Sequence, residues 1–156
     1  MKVEIPGTVS ELMTRDVVSV GEDDTLANLV GSLKALRFRH LPVTDEDRLI
    51  GLVTESDLLG IASSTLLPHH ERQDEALQQR FRVRDIMIRD VITVSPDASL
   101  QEAGRLLLKQ RFRCLPVVDR DNVLVGILTS SDFIKVVATA HILVGSRSSG
   151  GADSLQ

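Results

Sequence analysis

The residues best suited to chemistry lie in one seven-residue pattern, Gly-x-x-Thr-x-x-Asp, that the chain contains twice. The pattern consists of Gly51, Thr54 and Asp57, and again of Gly126, Thr129 and Asp132. An ionised Asp can accept two hydrogen bonds from a vicinal diol. A Thr hydroxyl at the start of a helix lies beside free backbone N–H groups, which suit a phosphate. Each Asp can equally be a helix N-terminal acid that the helix dipole stabilises.

The pattern recurs because the chain consists of two similar halves. Residues Val9–Asp57 align with Val83–Asp132 at an offset of 74 residues, which becomes 75 near Asn122. In this alignment 22 of the 49 positions from Val9 to Asp57 are identical, far more than composition would give. We therefore expect two copies of one structural unit of roughly 50–60 residues each.

Each copy alternates between strand and helix patterns. The β-branched runs Val17–Val20 and Val91–Val94 predict a first strand. Apolar residues at helical spacing follow, and two further apolar runs around a polar turn predict a hairpin. A second helix is expected to begin just after the Thr of the pattern. This strand–helix–strand–strand–helix unit buries only one face of its sheet, so the two copies should pack together.

Composition excludes several classes of protein. The 156 residues carry a net charge of −4, which is unlike a basic nucleic-acid binder. No apolar run is long enough to span a membrane, and the N-terminus has no apolar signal core. There is one cysteine, and aromatic residues make up only 3% of the chain. We expect a cytoplasmic protein with an aliphatic core and without membrane or nucleic-acid partners.

The sequence offers little for catalysis. The two copies contain no Cys/His pair, no carboxylate dyad and no glycine-rich phosphate loop of the Walker type. The cluster His69-His70-Glu71 is only superficially a metal site, because adjacent histidines do not share a helix face. We therefore expect no enzymatic activity and no metal site.

The doubled unit, with Leu-Pro-Val before each Gly-x-x-Thr-x-x-Asp, resembles the CBS domain family, whose tandem pairs are called Bateman modules. The resemblance covers about residues 8–140. It implies an α+β/α/β fold in which two CBS repeats pack with pseudo-two-fold symmetry. The expected division is a first repeat at 8–64, a linker helix at 65–82, a second repeat at 83–140 and a disordered tail at 145–156.

The resemblance also implies a regulatory, non-catalytic function. Family members bind adenosine-containing ligands, such as AMP, ADP, ATP, S-adenosylmethionine or NAD(H), in clefts between the repeats, and no cofactor is required. Each cleft takes Thr and Asp from one repeat and its base-binding wall from the other. One cleft then comprises Thr54, Asp57, Val91, Ile92, Arg113 and Cys114. The other comprises Thr129, Asp132, Val17, Val18, Arg39 and His40.

Simpler interpretations exist for several of these residues. Arg39 and Arg113 contact phosphate if the resemblance holds, and otherwise form a solvated basic helix end. Cys114 is expected to be a small buried hydrophobe rather than a redox-tunable thiol. Phe38 and Phe112 are expected in the core.

Apolar stripes on the second helix of each repeat predict assembly. These stripes comprise Leu58, Leu59, Ile61, Phe133, Ile134, Val136 and Val137. They are too large to leave in water, and CBS pairs commonly dimerise, so we expect a homodimer. An effector protein whose identity the sequence does not give would receive the ligand signal. The alternative is a structural dimerisation or RNA-associated module with empty clefts.

Overall fold

The computed structural model describes residues 6–29, 39–58 and 79–145 of the chain. In chain order the elements are helix α1 (Val9–Leu12), strands β1 (His40–Asp45) and β2 (Arg48–Thr54), a 3-10 helix (Val83–Asp85), helix α2 (Leu100–Gln110), strands β3 (Cys114–Val118) and β4 (Leu124–Thr129), and helix α3 (Ser130–Gly145). Residues 26–29, 55–58 and 79–80 are also helical. Most of the expected linker helix, and the expected tail beyond Gly145, lie outside the described residues.

Both predicted hairpins are present and have equivalent registers, although their turns differ in length. Strands β1 and β2 pair antiparallel from His40 opposite Thr54 to Asp45 opposite Arg48, with a register shift after Val43. Strands β3 and β4 pair in the same way, with the shift after Val117. In the first hairpin both turn residues, Glu46 and Asp47, have positive φ, as a tight turn between twisted strands requires.

The first predicted strand of each repeat is reduced to a single bridge. Val20 pairs in parallel with Val43, and Val94 pairs in parallel with Val117. In both repeats the residues before this bridge run beside a cavity described below, so their backbone does not extend a sheet. The sequence pattern of β-branched residues predicted their extended conformation but not their lack of a strand partner.

The residues at the two ends of helix α2 explain where it begins and ends. The Ser99 hydroxyl accepts a hydrogen bond from the backbone N–H of Glu102 at 3.1 Å, which caps the first turn. Leu100, Ala103 and Leu107 are buried at helical spacing, as predicted. Arg111 ends the helix in the left-handed conformation with φ 55°.

Each hydrophobic core is completed by a segment from the other repeat. Val9 and Met13, which begin the first repeat in sequence, are buried in the core of β3, β4 and α2. Val83 and Met87, which begin the second, are buried in the core of β1 and β2. Backbone bonds fix this exchange, since Thr14 and Ile127 donate to each other's carbonyls at 2.9 Å, as do Leu52 and Ile88.

The exchange explains the glycine of the repeated pattern. A Cβ atom at Gly51 would lie 2.7 Å from Sδ of Met87, and one at Gly126 would lie 2.5 Å from Sδ of Met13. Real Cβ atoms do not approach other atoms so closely. Glycine therefore lets the incoming methionine cross the strand, and its role is packing rather than ligand contact.

The two hairpins join at equivalent positions. Arg48 forms an antiparallel bridge with Val123, its counterpart in the alignment of the repeats. Backbone bonds flank this bridge on both sides, from Leu49 N–H to the Asn122 carbonyl at 3.0 Å and from Leu124 N–H to the Asp47 carbonyl at 2.9 Å. The pseudo-two-fold axis that relates the repeats therefore passes through this joint.

Candidate functional site

The Thr and Asp of the first repeated pattern form a helix cap. Thr54 ends β2, and helical residues 55–58 follow. The Asp57 carboxylate, through Oδ2, accepts hydrogen bonds from the Thr54 backbone N–H at 2.9 Å and from the Thr54 hydroxyl at 2.6 Å. The Asp57 N–H also donates to the Thr54 hydroxyl at 3.3 Å. These reciprocal bonds are those of a capping box, so the three-residue spacing has a structural cause.

The second pattern repeats this arrangement at the start of α3. Oδ2 of Asp132 accepts hydrogen bonds from the backbone N–H and the hydroxyl of Thr129, both at 2.8 Å. Asp132 is buried, with 8% of its surface exposed. Its other oxygen, Oδ1, lies 3.7 Å from Nζ of the exposed Lys135. In both repeats Oδ2 serves the cap, and Oδ1 takes no part in the bonds to Thr.

Cavity A lies between the repeats beside Thr129 and has a volume of about 400 Å³. Val17, Val18, Arg39 and His40 from the first repeat line it, facing Thr129 and the start of α3. All five of these residues were predicted to share one cleft. The exposed Val18 gives the cavity an apolar wall beside a polar, cationic one.

Cavity B is the counterpart of cavity A beside Thr54, with a volume of about 280 Å³. Val91, Ile92, Arg113 and Cys114 from the second repeat line it together with Thr54. These residues too were predicted to share a cleft. The structure thus brings together the wall and Thr that the sequence predicted for each cleft.

Asp57 and Asp132 do not themselves line the cavities. Each directly follows a lining residue in the chain, Asp57 after Ser56 and Asp132 after Ser131. Their carboxylates hold the Thr hydroxyls that do line the cavities. A ligand reaching either Asp would use its Oδ1 atom.

His40 has an unusual electrostatic environment because it lies between two arginines. Burial lowers the pKa of His40 below its ordinary value of 6.5, and the charges of Arg113 and Arg39 lower the pKa further. The carboxylate of Glu55 acts in the opposite direction. The neutral imidazole is therefore favoured at neutral pH, where its two nitrogens offer one donor and one acceptor.

Cys114 takes the position in β3 that His40 takes in β1. Its burial raises the pKa of the thiol to about 12. The thiol therefore stays protonated at neutral pH and is a poor nucleophile. This environment favours the interpretation of Cys114 as a small buried hydrophobe that also lines cavity B.

Sequence reasoning missed several lining residues and misplaced one. Asp16 lines cavity A and Asp90 lines cavity B, and their equivalence in the repeat alignment was the signal that could have found them. The expectation that Phe112 lies in the core is wrong, because 38% of its surface is exposed and it lines cavity B. It follows directly on the left-handed end of α2, which turns the chain outward there. Phe38 and the cluster His69-His70-Glu71 lie outside the described residues.

The geometry defines a tandem-repeat protein with an equivalent cavity on each side of the joint between repeats. A family model for the CBS domain matches residues 9–64 and 83–139. These two matches cover most of the chain, and it belongs to the CBS domain family.

Relatives in sequence include proteins of very different length. An uncharacterised protein of Methanocaldococcus jannaschii is 32% identical over 127 residues, covering 81% of this chain and 43% of that protein. The inosine-5'-monophosphate dehydrogenase of the same organism is 30% identical over 135 residues, 86% of this chain and 24% of the enzyme. The chain thus spans less than half the length of these two relatives.

Solved structures share the fold of both repeats. A Vibrio cholerae protein assigned to acetoin utilization, AcuB, superposes with a TM-score of 0.72 at 31% identity, covering 89% of this chain and 96% of that one. CBSX2 in complex with AMP superposes with a TM-score of 0.73 at 28% identity, covering 87% and 99%. The cytosolic domain of the Mg²⁺ channel MgtE in complex with ATP gives 0.67 at 29% identity, covering 83% and 48%. The fold is therefore that of a CBS pair.

No helix among residues 6–29, 39–58 and 79–145 is long and apolar enough to cross a membrane.

Proposed function

We propose that the chain is a regulatory module that binds adenosine-containing ligands in cavities A and B and passes their occupancy to a partner protein. The observation that carries the proposal is that two equivalent cavities each combine an apolar wall, a capped Thr at a helix start and arginine side chains. Two solved structures of the same fold support this choice of ligand class, since CBSX2 was solved with AMP and the cytosolic domain of MgtE with ATP. S-adenosylmethionine and NAD(H) remain within the proposed class.

The chemistry of each cavity suits such a ligand part by part. The apolar wall of cavity A, formed by Val17 and Val18, can hold a flat base without an aromatic side chain. Arg39 and Arg113 offer planar forks for a phosphate. The Oδ1 atom of Asp132 is the acceptor proposed for the ribose hydroxyls. Cavity B offers the same parts at equivalent positions.

A thermal-shift screen with AMP, ATP, S-adenosylmethionine and NADH tests the proposal. A ligand that binds only the folded protein stabilises it by about 2.7 kcal/mol at a concentration one hundred times its dissociation constant. At least one of the four should therefore raise the melting temperature, by an amount that grows with the logarithm of its concentration above the dissociation constant. If none does so at millimolar concentration, the clefts are empty and the structural-module alternative is correct.

The proposed ribose contact needs a substitution that spares the helix cap. Asp57→Asn and Asp132→Asn keep one carbonyl oxygen for the Thr N–H but place an amide donor where Oδ1 would accept. We expect each variant to melt near the wild type and to lose about 30- to 150-fold in affinity for AMP at its own cavity. Calorimetric titration measures this loss.

Asp85 provides the matched control. Its Oδ2 atom accepts a hydrogen bond from the Arg82 backbone N–H at 2.8 Å, so it caps a helix as Asp57 does. Asp85 lines neither cavity among the residues that the structure describes. Asp85→Asn should bind AMP as the wild type does. A double variant Asp57→Asn/Asp132→Asn that binds AMP normally would exclude the ribose role.

We also propose that the module is a homodimer, as the family commonly forms. Ile134 and Val137 on α3 support this, because they lie three residues apart on one helix face and are 66% and 67% exposed. Leu58, expected on the same kind of stripe, is instead buried in the core of the first repeat. Leu59 and Ile61 lie outside the described residues. Light scattering at micromolar concentration should give twice the monomer mass, and Ile134→Glu should give the monomer.

A further inference from the structure

Cavities A and B share part of their wall. Arg113 and His40 line both cavities, whereas Arg39 lines only cavity A and Arg111 lines only cavity B among the described residues. Arg113 is also the charge with the largest effect on His40, so these two side chains from different repeats lie close together. The two cavities therefore meet at one cationic contact.

The formal charges of the side chains that line the two cavities show why both cavities depend on Arg113. Among the described lining residues, the charged side chains found only in cavity A are Arg39 and Asp16, whose formal charges cancel. Those that only cavity B has are Arg111 and Asp90, whose formal charges also cancel. Within the described part of the chain, Arg113 therefore supplies the surplus positive charge of both cavities, with His40 neutral.

We propose that Arg113 couples the two cavities, so that a phosphate-bearing ligand in one weakens binding of a second phosphate-bearing ligand in the other. This inference rests on the proposed function, since it concerns ligands of the same two cavities. A phosphate carries a charge of about −1.5 to −2 at neutral pH, more than one guanidinium can neutralise. After the first such ligand engages Arg113, the second meets a cavity whose other described lining side chains carry no net formal charge. A ligand without phosphate does not compete for Arg113, so the module takes one phosphorylated and one unphosphorylated adenosine ligand more readily than two phosphorylated ones.

The expected size of the coupling follows from the interaction that the second ligand loses. A hydrogen bond to a charged group corresponds to a factor of roughly 10 to 100 in affinity. Two AMP molecules should therefore bind with a combined affinity at least about tenfold below the product of their separate affinities. Two adenosine molecules should show no such deficit.

Calorimetric titration of the full chain with AMP and with adenosine measures this deficit. Because the cavities differ intrinsically, the separate affinities come from Asp132→Asn for cavity B and from Asp57→Asn for cavity A. The wild type supplies the two stepwise constants. A deficit for AMP that is absent for adenosine supports the proposal, and equal behaviour of the two ligands overturns it.

Substitution of Arg113 distinguishes a shared cation from simple repulsion between phosphates. Arg113→Gln should weaken AMP at both cavities and reduce the deficit to within about threefold of zero coupling, because nothing remains to be shared. Under simple repulsion the deficit would persist or grow, since a screening charge has been removed, and this result would overturn the proposal. The side chain of Arg113 is exposed, and its backbone carbonyl still accepts from Ser130 N–H, so the variant should melt as the wild type does.

Arg39→Gln and Arg111→Gln are the matched controls. Each should weaken AMP at one cavity only and leave the deficit between cavities unchanged. The failure of this inference and the failure of the proposed function give different results. AMP that binds two independent cavities refutes only the coupling, whereas AMP and adenosine that bind neither cavity refute both.

Discussion

The two hydrophobic cores contain the same elements but differ in how the chain supplies them. The described core of the first repeat draws its buried residues from one continuous stretch, from Leu26 to Met87. The core of the second repeat combines Val9 and Met13 with residues from Val94 to Leu128, so the whole first hairpin intervenes. The sequence repeat and the folding unit are therefore offset from each other, and only one of the two cores can be cut out as a single segment.

The cavities differ in a complementary way. Their shared scaffold, a capped Thr with a methionine crossing at glycine, is the same on both sides. The linings differ where equivalent residues differ: Thr14 in cavity A corresponds to Ile88 in cavity B, and His40 corresponds to Cys114. Phe112 lines cavity B, which is the smaller of the two, with a volume of about 280 Å³ against about 400 Å³. Some of the differences between the repeats thus fall where a ligand would be selected.

The largest expected effect is on the cooperative unfolding of fragments that contain or lack the exchanged segment. A fragment of residues 15–90 holds every described residue of the first core, and we expect it to melt cooperatively. A fragment of residues 1–64 lacks Val83 and Met87, and we expect no cooperative transition from it. Calorimetry or circular dichroism on heating distinguishes them. If the fragment 1–64 melts cooperatively and 15–90 does not, the exchanged segments do not determine folding.

Truncation of one exchanged methionine should have the next largest effect. Met13→Ala removes a side chain that is 8% exposed and should cost about 2–5 kcal/mol in free energy of unfolding. The local loss should appear in the second repeat, although Met13 belongs to the first in sequence. Hydrogen exchange should show faster exchange in β3 and β4 than in β1 and β2. Met87→Ala is the matched variant and should show the reverse pattern.

Much of the fold and of both cavities could be predicted from the sequence, and the main exception is which repeat each segment packs against. The sequence patterns of the two copies predicted the hairpins and the Thr and Asp at the helix starts, and the resemblance to the CBS family implied most of the residues of both cavity walls. The burial of Val9 and Met13 also follows from their apolar character. That they pack against the other repeat does not, because periodicity indicates which face is buried but not the partner. The sharing of Arg113 and His40 depends in the same way on how the repeats pack.

The two helix caps should differ by a smaller amount. Thr54→Val removes the hydroxyl that bonds to both the carboxylate and the N–H of Asp57, and should cost about 0.5–2 kcal/mol. Thr129→Val removes only the bond to the Asp132 carboxylate and should cost less. Urea unfolding at neutral pH measures both values. A larger cost for Thr129→Val would mean that burial of Asp132 matters more than the completeness of the cap.

The difference between His40 and Cys114 should have the smallest effect on the free energy of unfolding, and this effect should appear only as a dependence on pH. The pKa of His40 is lower in the folded protein than in the unfolded chain, so the unfolded chain binds the proton more tightly. Stability is therefore highest above the ordinary pKa of 6.5 and is lost as the pH falls towards the lowered pKa. His40→Cys introduces the residue of the second repeat and removes this loss.

Urea unfolding of the wild type and His40→Cys at about pH 7.5 and pH 5.5 measures the difference, because all other titrating groups are common to both proteins. The wild type should lose more stability on acidification than the variant. Equal losses would mean that protonation of His40 costs the folded protein nothing.

The joint between the hairpins does not depend on the side chains of the two residues that form its central bridge, Arg48 and Val123. Main-chain bonds flank Arg48 and Val123, two chemically unrelated residues at equivalent positions, and the Asn122 side-chain amide adds a hydrogen bond to the Leu49 carbonyl at 2.9 Å. Substitution of Arg48 or Val123 by any residue other than proline leaves the bonding groups in place, so the joint tolerates sequence change at these two positions. For the same reason it is a suitable attachment point for a spectroscopic label, which would report on both repeats without replacing a residue on which either depends.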